Sequence, residues 1–177
     1  DRRDFLQKTL VGAAVAAAAP WNLLARPYPQ GEGLGKPGES NPLRLSFQEN
    51  TAPGETLAER LDYMEAHGVT GFEPGGKNLS ARVGELKQAL RGRNISVSAI
   101  CAGFSGFILS EQPEVRAEFD RTMREIIAAA GELGSTGVIM VPAFNHQVPV
   151  MPHTPQTRDY LVEQLRKLGD YAREQGT

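Results

Sequence analysis

Glu73 is the residue of this 177-residue chain most open to a chemical role. It closes the short apolar run Gly71-Phe72-Glu73, where side-chain alternation along a strand can aim it into the mouth of a site. A carboxylate so placed can hydrogen-bond sugar hydroxyls or orient a metal-bound group. The plainer role is a structural carboxylate tied to a neighbouring loop amide or lysine. Asn145 and His146 form a second polar pair, following Val138-Ile139-Met140-Val141-Pro142-Ala143-Phe144. An imidazole there can bind a metal or shuttle a proton, and an amide can bind hydroxyls; a surface loop histidine fits the same residues. Pro142 and Phe144 would shape a pocket wall. Lys77 follows Gly75-Gly76, whose backbone lets an anion approach closely, so it is either a phosphate contact or a solvated loop lysine. Phe104 and Phe107 either line a sugar site or pack. Cys101, the one cysteine, has no argued histidine partner and is read as an inert buried thiol. His67 lies in the last turn of a helix, where a cation suits the helix dipole, and His153 lies beside a helix N-cap; both are read as structural.

The elements that position these residues alternate. Leu43–Gln48 reads as a strand. Thr56 offers an N-cap with Glu59 three residues on as a capping box, Leu57, Leu61 and Met64 follow at helical spacing, and Gly68 supplies a stop. Val69–Glu73 is a second strand, followed by a helix that Ser80 would cap, with Val83, Leu86 and Leu90 as its stripe and Gly92 at its end. Ile95–Ala102 is a third strand. Pro113 opens a helix whose apolar face runs from Val115 through Phe119, Met123, Ile126, Ile127 and Ala130 to Gly134. Val138–Val141, a continuous apolar run, fits a strand buried on both faces. Thr154 and Pro155 start a last helix with Leu161, Leu165 and Leu168 as its stripe and Gly176 at its stop.

Strands alternating with helices predict an α/β fold with a parallel sheet and right-handed crossovers. An open doubly wound sheet normally carries a Gly-rich turn after its first strand. Here Gln48-Glu49-Asn50-Thr51 stands there instead, which favours a partial (β/α)₈ barrel: the first four βα units over residues 43–177. A whole barrel takes about 250 residues and eight units. The expectation is therefore truncation after Thr177; the alternative is a half-barrel that closes by pairing with itself or another chain, a possible homo-oligomer. Function in such a barrel belongs to the loops after the strands: Gln48–Gly54, the segment from Glu73 to Asn78, Gly103–Phe107 and Ala143–His153.

Residues 1–25 stand apart. Arg2-Arg3 precede Phe5-Leu6 and Lys8, and a weakly apolar run of Ala, Gly, Val and Leu follows. The order resembles a twin-arginine export signal, with Asp1 in place of the usual Ser or Thr and Lys8 one position late. The alternative is an Ala-rich amphipathic helix. The apolar run is shorter than the roughly 20 residues of a membrane span. The resemblance implies handling by the twin-arginine translocation machinery, a periplasmic location and no stable membrane anchor after cleavage. Residues 26–42, dense in Pro and Gly without apolar periodicity, read as a linker.

Hydrophobic residues at 40% suffice for a core, and a net charge of -2 with 23% charged residues gives no footprint for nucleic acid. No Cys/His cluster of zinc-finger type occurs.

Gly71-Phe72-Glu73, Val138-Ile139-Met140-Val141-Pro142-Ala143 and Gly131-Glu132-Leu133-Gly134 resemble the sugar phosphate isomerase/epimerase family of xylose isomerase-like barrels. The resemblance implies a small carbohydrate as partner and proton removal next to a sugar carbonyl. It also implies a divalent metal (Mn, Mg, Co or Zn) that polarises that carbonyl in the intact protein. In that family the metal and the acid/base pair come mostly from the fifth to eighth strands, so this chain would not bind the metal and would itself be inactive. Glu73 corresponds to the second-strand carboxylate, and Asn145 or His146 to the polar group after the fourth strand. Export argues for a free or oxidised glycoside over a phosphorylated sugar. A lyase or hydrolase of 3-keto glycosides is therefore the alternative reaction, and a non-catalytic carbohydrate-binding or assembly protein the alternative class.

Overall fold

The computed structural model describes residues 44–177, in the order β1 (Ser46–Gln48), α1 (Leu57–Ala66), β2 (Gly71–Glu73), α2 (Leu79–Leu90), β3 (Ser96–Val97), β4 (Ile100–Cys101), α3 (Pro113–Glu132), β5 (Val138–Ile139) and α4 (Pro155–Gln175). The signal-like segment 1–25 and the linker 26–42, with the export, membrane and localisation expectations attached to them, lie outside these residues. Every strand pairing is parallel. β1 pairs with β2, β2 with β3, and β4 with β5. These make a three-stranded and a two-stranded sheet, and an isolated parallel bridge between Gly75, just after β2, and Cys101 of β4 links the two.

Each strand has two unlike sides. Phe47, Phe72 and Val97 share one register, and Phe72 and Val97 are buried against the helices together with Ile100. The helix layer supplies Leu61 and Met64 from α1, Leu79, Val83 and Leu86 from α2, and Ile126, Ala129 and Ala130 from α3. Ser46, Gly71 and Ser96 share the alternate register, and so do Gln48 and Glu73. Glycine at position 71 is a packing necessity: a Cβ there would stand 2.6 Å from that of Ser46. With no side chain between them, the Ser46 and Ser98 hydroxyls meet at 2.6 Å. This face, turned away from the helices, is the interior side of a barrel.

The α1 capping box forms as its residues predict: the Thr56 side chain accepts from the Glu59 amide, and the Glu59 carboxylate accepts from the Thr56 amide. Gly134 (φ +67) and Gly176 (φ +81) supply the left-handed turns that stop α3 and α4. Ser80, in contrast, is not the cap of α2. The helix starts at fully buried Leu79 after a left-handed Asn78 (φ +54), and Ser80 sits exposed within the first turn. A turn at Lys77-Asn78, closed by the Leu79 amide on Gly76 O (3.2 Å), delivers the chain into α2 without a side-chain cap.

The third strand, expected as one run over Ile95–Ala102, is divided. The Ser98 amide donates back to Phe72 O (2.9 Å), whereas the Ile100 amide turns outward to Gly137 O (3.0 Å). The Thr136 hydroxyl takes the Ser98 carbonyl. The run keeps the β2 segment as a neighbour, since the Cys101 amide donates to Pro74 O (3.0 Å), and gains β5 on its other side; the regular pairing is interrupted at Ser98-Ala99. The fourth strand is also shorter than expected, Val138–Ile139, and is not buried on both faces. Val138 packs against both core clusters, but Ile139 is 43% exposed because it points away from the helix layer. On α4, Leu168 is buried, Leu161 half-buried and Leu165 exposed.

The segment after β2 meets β4 backbone to backbone, with the Gly76 amide donating to Cys101 O (3.1 Å). A Cβ at Gly76 would overlap the Ala102 carbonyl oxygen, whereas one at Gly84, on the exposed side of α2, meets nothing within 4 Å. Gly76→Ala should therefore lower the unfolding free energy by more than about 2 kcal/mol. Gly84→Ala should raise it by about 0.5–1 kcal/mol. Guanidinium denaturation followed by circular dichroism checks both.

Candidate functional site

Parallel pairing sends the ends of β1, β2 and β4 to one rim, and the polar side chains cluster there. Gln48 and Glu73 are register partners, and the Gln48 Nε2 donates to Glu73 Oε1 at 2.7 Å. The same amide nitrogen lies 3.6 Å from Cys101 Sγ. Glu73 is half-buried and Gln48 exposed, so carboxylate and amide both remain open to a ligand. The Cys101 thiol is pushed above its ordinary pKa by burial, then by its hydrogen bond to Glu73 and the charge of that carboxylate. It is a protonated neighbour of Glu73 and not an activated nucleophile.

Behind this cluster lies a second carboxylate. Glu49 follows β1 directly, and both its oxygens engage the guanidinium of Arg82 on α2, one of them at 3.0 Å. The Gly75 amide adds a third bond to it at 3.1 Å. Burial alone would raise the Glu49 pKa. The Arg82 hydrogen bond, the Gly75 amide and the charges of Arg82 and Arg60 outweigh burial and hold it below the usual carboxylate range. Charge pairing raises Arg82 correspondingly.

The other candidate residues are placed as follows. Phe104 is half-buried, edge-on to Phe119 (centroids 5.1 Å, 81°) and packed against both core clusters, so it supports the rim from below. Lys77 is exposed and borders a cleft of about 260 Å³ with Ser80, Gly103, Arg121 and Glu125. Asn145 and His146 are exposed, and the His146 ring stacks on Phe144 (5.8 Å, 15°). Their loop follows β5 and so lies at the same end of the sheet as Glu73, but among the described residues no hydrogen bond joins either to Glu73 or Gln48. That loop is tied instead to the segment after β4: the Met151 amide donates to Leu109 O (2.8 Å) and the Glu111 amide to Pro149 O (3.1 Å). His67 stacks on Tyr63 and hydrogen-bonds its carbonyl at the end of α1, a structural position, and His153 is exposed.

Gln48, Glu49 and Arg82 were not singled out as functional by residue type. The signal for Gln48 was present: it ends β1 as Glu73 ends β2, and alternation puts both on the same face. Nothing local marks Glu49 and Arg82, whose pairing spans 33 positions. Among the described residues no group of three or more His, Cys, Asp or Glu side chains could hold a metal ion. Glu73 has an amide and a thiol beside it, a donor set that does not fit a closed hard-cation site. None of the described helices is long and apolar enough to cross a membrane.

The sequence profile of the xylose isomerase-like TIM barrel family matches residues 61–177. The chain belongs to that family. Within it the chain is similar to 3-dehydro-D-guloside 4-epimerase of Escherichia coli (strain K12), with 27% identity over 142 residues covering 76% of this chain and 54% of that protein. The crystal structure of the apo 3-keto-D-glucoside 4-epimerase from E. coli superposes with a TM-score of 0.65 at 25% identity, over 77% of this chain and 54% of that one. Two further solved structures share the fold at TM-score 0.59: the IOLI protein, solved with a bound zinc atom (21% identity), and the D-allulose 3-epimerase of a Methylomonas species (18%). Each covers 76% of this chain and 49% of its own. The chain thus spans about half the length of the xylose isomerase-like barrels it matches.

Two measurements probe the rim directly. Removing the Glu73 charge with Glu73→Gln should move the Cys101 thiol titration downward, read as thiolate absorbance against pH. The lowered Glu49 pKa adds stability that is complete above the ordinary carboxylate value and is lost as pH falls through the folded-state value. Glu49→Gln should therefore be less stable than the parent at neutral pH. Its unfolding free energy should vary less across the acid limb, with the two converging at low pH.

Proposed function

We propose that this chain supplies the first, sugar-positioning part of an isomerase or epimerase that moves a proton next to a sugar carbonyl, with an oxidised glycoside as substrate class. The observation that carries the reading is the Gln48–Glu73 pair at the strand ends of a xylose isomerase-like barrel. One Glu73 oxygen accepts from Gln48 and the carboxylate faces the Cys101 thiol, yet a two-oxygen carboxylate keeps acceptor capacity for a sugar hydroxyl, while the Gln48 carbonyl oxygen offers a second acceptor. Acceptors fixed by each other suit a polyol, since each needs no reorganisation to bind an O–H. The E. coli similarity, named as a 3-dehydro-D-guloside 4-epimerase and, for the crystal structure, as a 3-keto-D-glucoside 4-epimerase, supports this class. Inverting C4 beside a C3 ketone requires loss of the C4 proton, transfer of that electron pair into an enolate, and protonation from the opposite face. The sum is an isomerisation and needs no oxidant. A divalent metal belongs to the proposal for the whole protein, in line with the zinc of the IOLI structure. The described residues do not assemble its site. Asn145 and His146 would contact the sugar only from the loop after β5.

Saturation-transfer NMR with a methyl 3-keto-glucoside tests the binding part. Transfer should reach the ring protons, and Glu73→Gln should weaken affinity about tenfold or more, the loss of a hydrogen bond to a charged acceptor. Binding indifferent to that change would remove Glu73 from the site. Products separate the reactions: epimer with the glycosidic bond intact supports epimerisation, and release of the aglycone supports elimination.

A further inference from the structure

We infer that Glu49 is a positioning residue for Glu73, holding the rim carboxylate in place by gripping the chain at Glu73 and again two residues beyond it. The inference rests on Glu73 being the sugar-binding carboxylate, and adds what keeps it aimed. Four hydrogen bonds make the grip. The Glu49 main-chain amide donates to the Glu73 carbonyl at 3.0 Å. The Glu49 carboxylate accepts from the amide of Gly75, two residues further along, at 3.1 Å. Arg82 of α2 takes both carboxylate oxygens in a two-point contact. The residue before Glu49 is Gln48, whose side chain holds the Glu73 carboxylate itself. Gln48-Glu49 therefore fixes main chain and side chain of one residue on the neighbouring strand.

This bracing answers a local need. β2 ends at Glu73, and Pro74-Gly75-Gly76 follow. Pro74 has no amide to donate, and the two glycines have no side chains to lock the turn. Without Glu49 the described hold on this segment is the backbone exchange with Cys101 from the other side. The ion pair is only 13% and 27% exposed on its two side chains, and a planar guanidinium fixes the carboxylate plane as a lysine would not. Its contribution is orientation more than stability, since burying a charge pair costs much of what the pair returns.

Cys101 reports on Glu73 without any sugar. Glu73 on β2 is the charged group facing it, Gln48 on β1 is neutral, and its register partner on β5 is Ile139. The experiment is a thiolate titration at 240 nm on the full chain, comparing the parent with Glu49→Gln, Glu73→Gln and the double variant, each checked for native circular dichroism. If Glu49 positions Glu73, Glu49→Gln should reproduce about half or more of the downward shift caused by Glu73→Gln. It should add nothing in the Glu73→Gln background. Where Glu49→Gln fails to fold, Arg82→Lys, which keeps the charge but loses the two-point contact, carries the test with the same expectation. A folded variant whose thiol titrates as in the parent while Glu73→Gln shifts it would overturn the inference. Because no sugar enters the measurement, it can fail while sugar binding holds, and it can succeed while the sugar reading fails.

Discussion

The structure depends on the opposition of Phe72 and Glu73 on one three-residue strand. Phe72 is fully buried and lies at the centre of the layer between sheet and helices. Burying an aromatic ring of that size is worth on the order of 2–3 kcal/mol, more than a one-residue slip of β2 could recover. With Phe72 committed to the helices, Glu73 is committed to the other face. Its register with Gln48 follows from the parallel pairing of β1 and β2. The functional geometry is thus a by-product of core burial one residue away, and substitutions in the helix layer would reach the rim through it.

A carboxylate held near a core must have its oxygens accounted for, and this protein solves the problem twice in different ways. Glu49 is satisfied completely by Arg82 and Gly75, which makes it a fixed part of the frame. Glu73 accepts from the Gln48 amide, faces the neutral Cys101 thiol and stays half-buried, with acceptor capacity to spare. Two glutamates at adjacent strand ends therefore diverge in role because one meets a guanidinium and the other an amide. The distinction is one of environment, which residue type alone does not carry.

That difference also marks how far the residues themselves could be read. Features with a local cause were legible: the Thr56–Glu59 capping box, the glycine stops at 134 and 176, the apolar stripe of α3 and the parallel order of the units. Features set by distant partners were not. Nothing in Ile95–Ala102 shows that its carbonyls and amides will serve two neighbours, because Gly137 and Thr136 lie more than thirty positions on. Ile139 looks like a core residue by hydropathy and is exposed because of the face it takes. Asn78 stands in place of Ser80 at the head of α2, entering from a Lys77-Asn78 turn in a left-handed conformation without a side-chain cap, which side-chain capping rules do not anticipate. In the candidate site, Glu73 was visible through its place at a strand end. Glu49 and Arg82, the pair that would hold it, are 33 positions apart.

Fold membership leaves the reaction undecided, since barrels of one family carry different chemistries on their loops. The loops of this chain divide the labour unequally. After β1 and β2 the polar groups are cross-braced through Gln48, Glu49, Gly75 and Arg82, so their geometry is set before any ligand arrives. After β5, Asn145, His146 and Phe144 stand exposed on a loop whose hold is the backbone pairing around Leu109, Glu111, Pro149 and Met151. A braced acceptor pair suits the part of a substrate common to many sugars, the vicinal hydroxyls of the ring. An exposed aromatic pair on a longer loop suits the part that varies, where sequence can change without disturbing Phe72 and the register it imposes. Discrimination between glycosides would then be sought around Phe144 and His146, and competence to hold a sugar ring at all around Glu73.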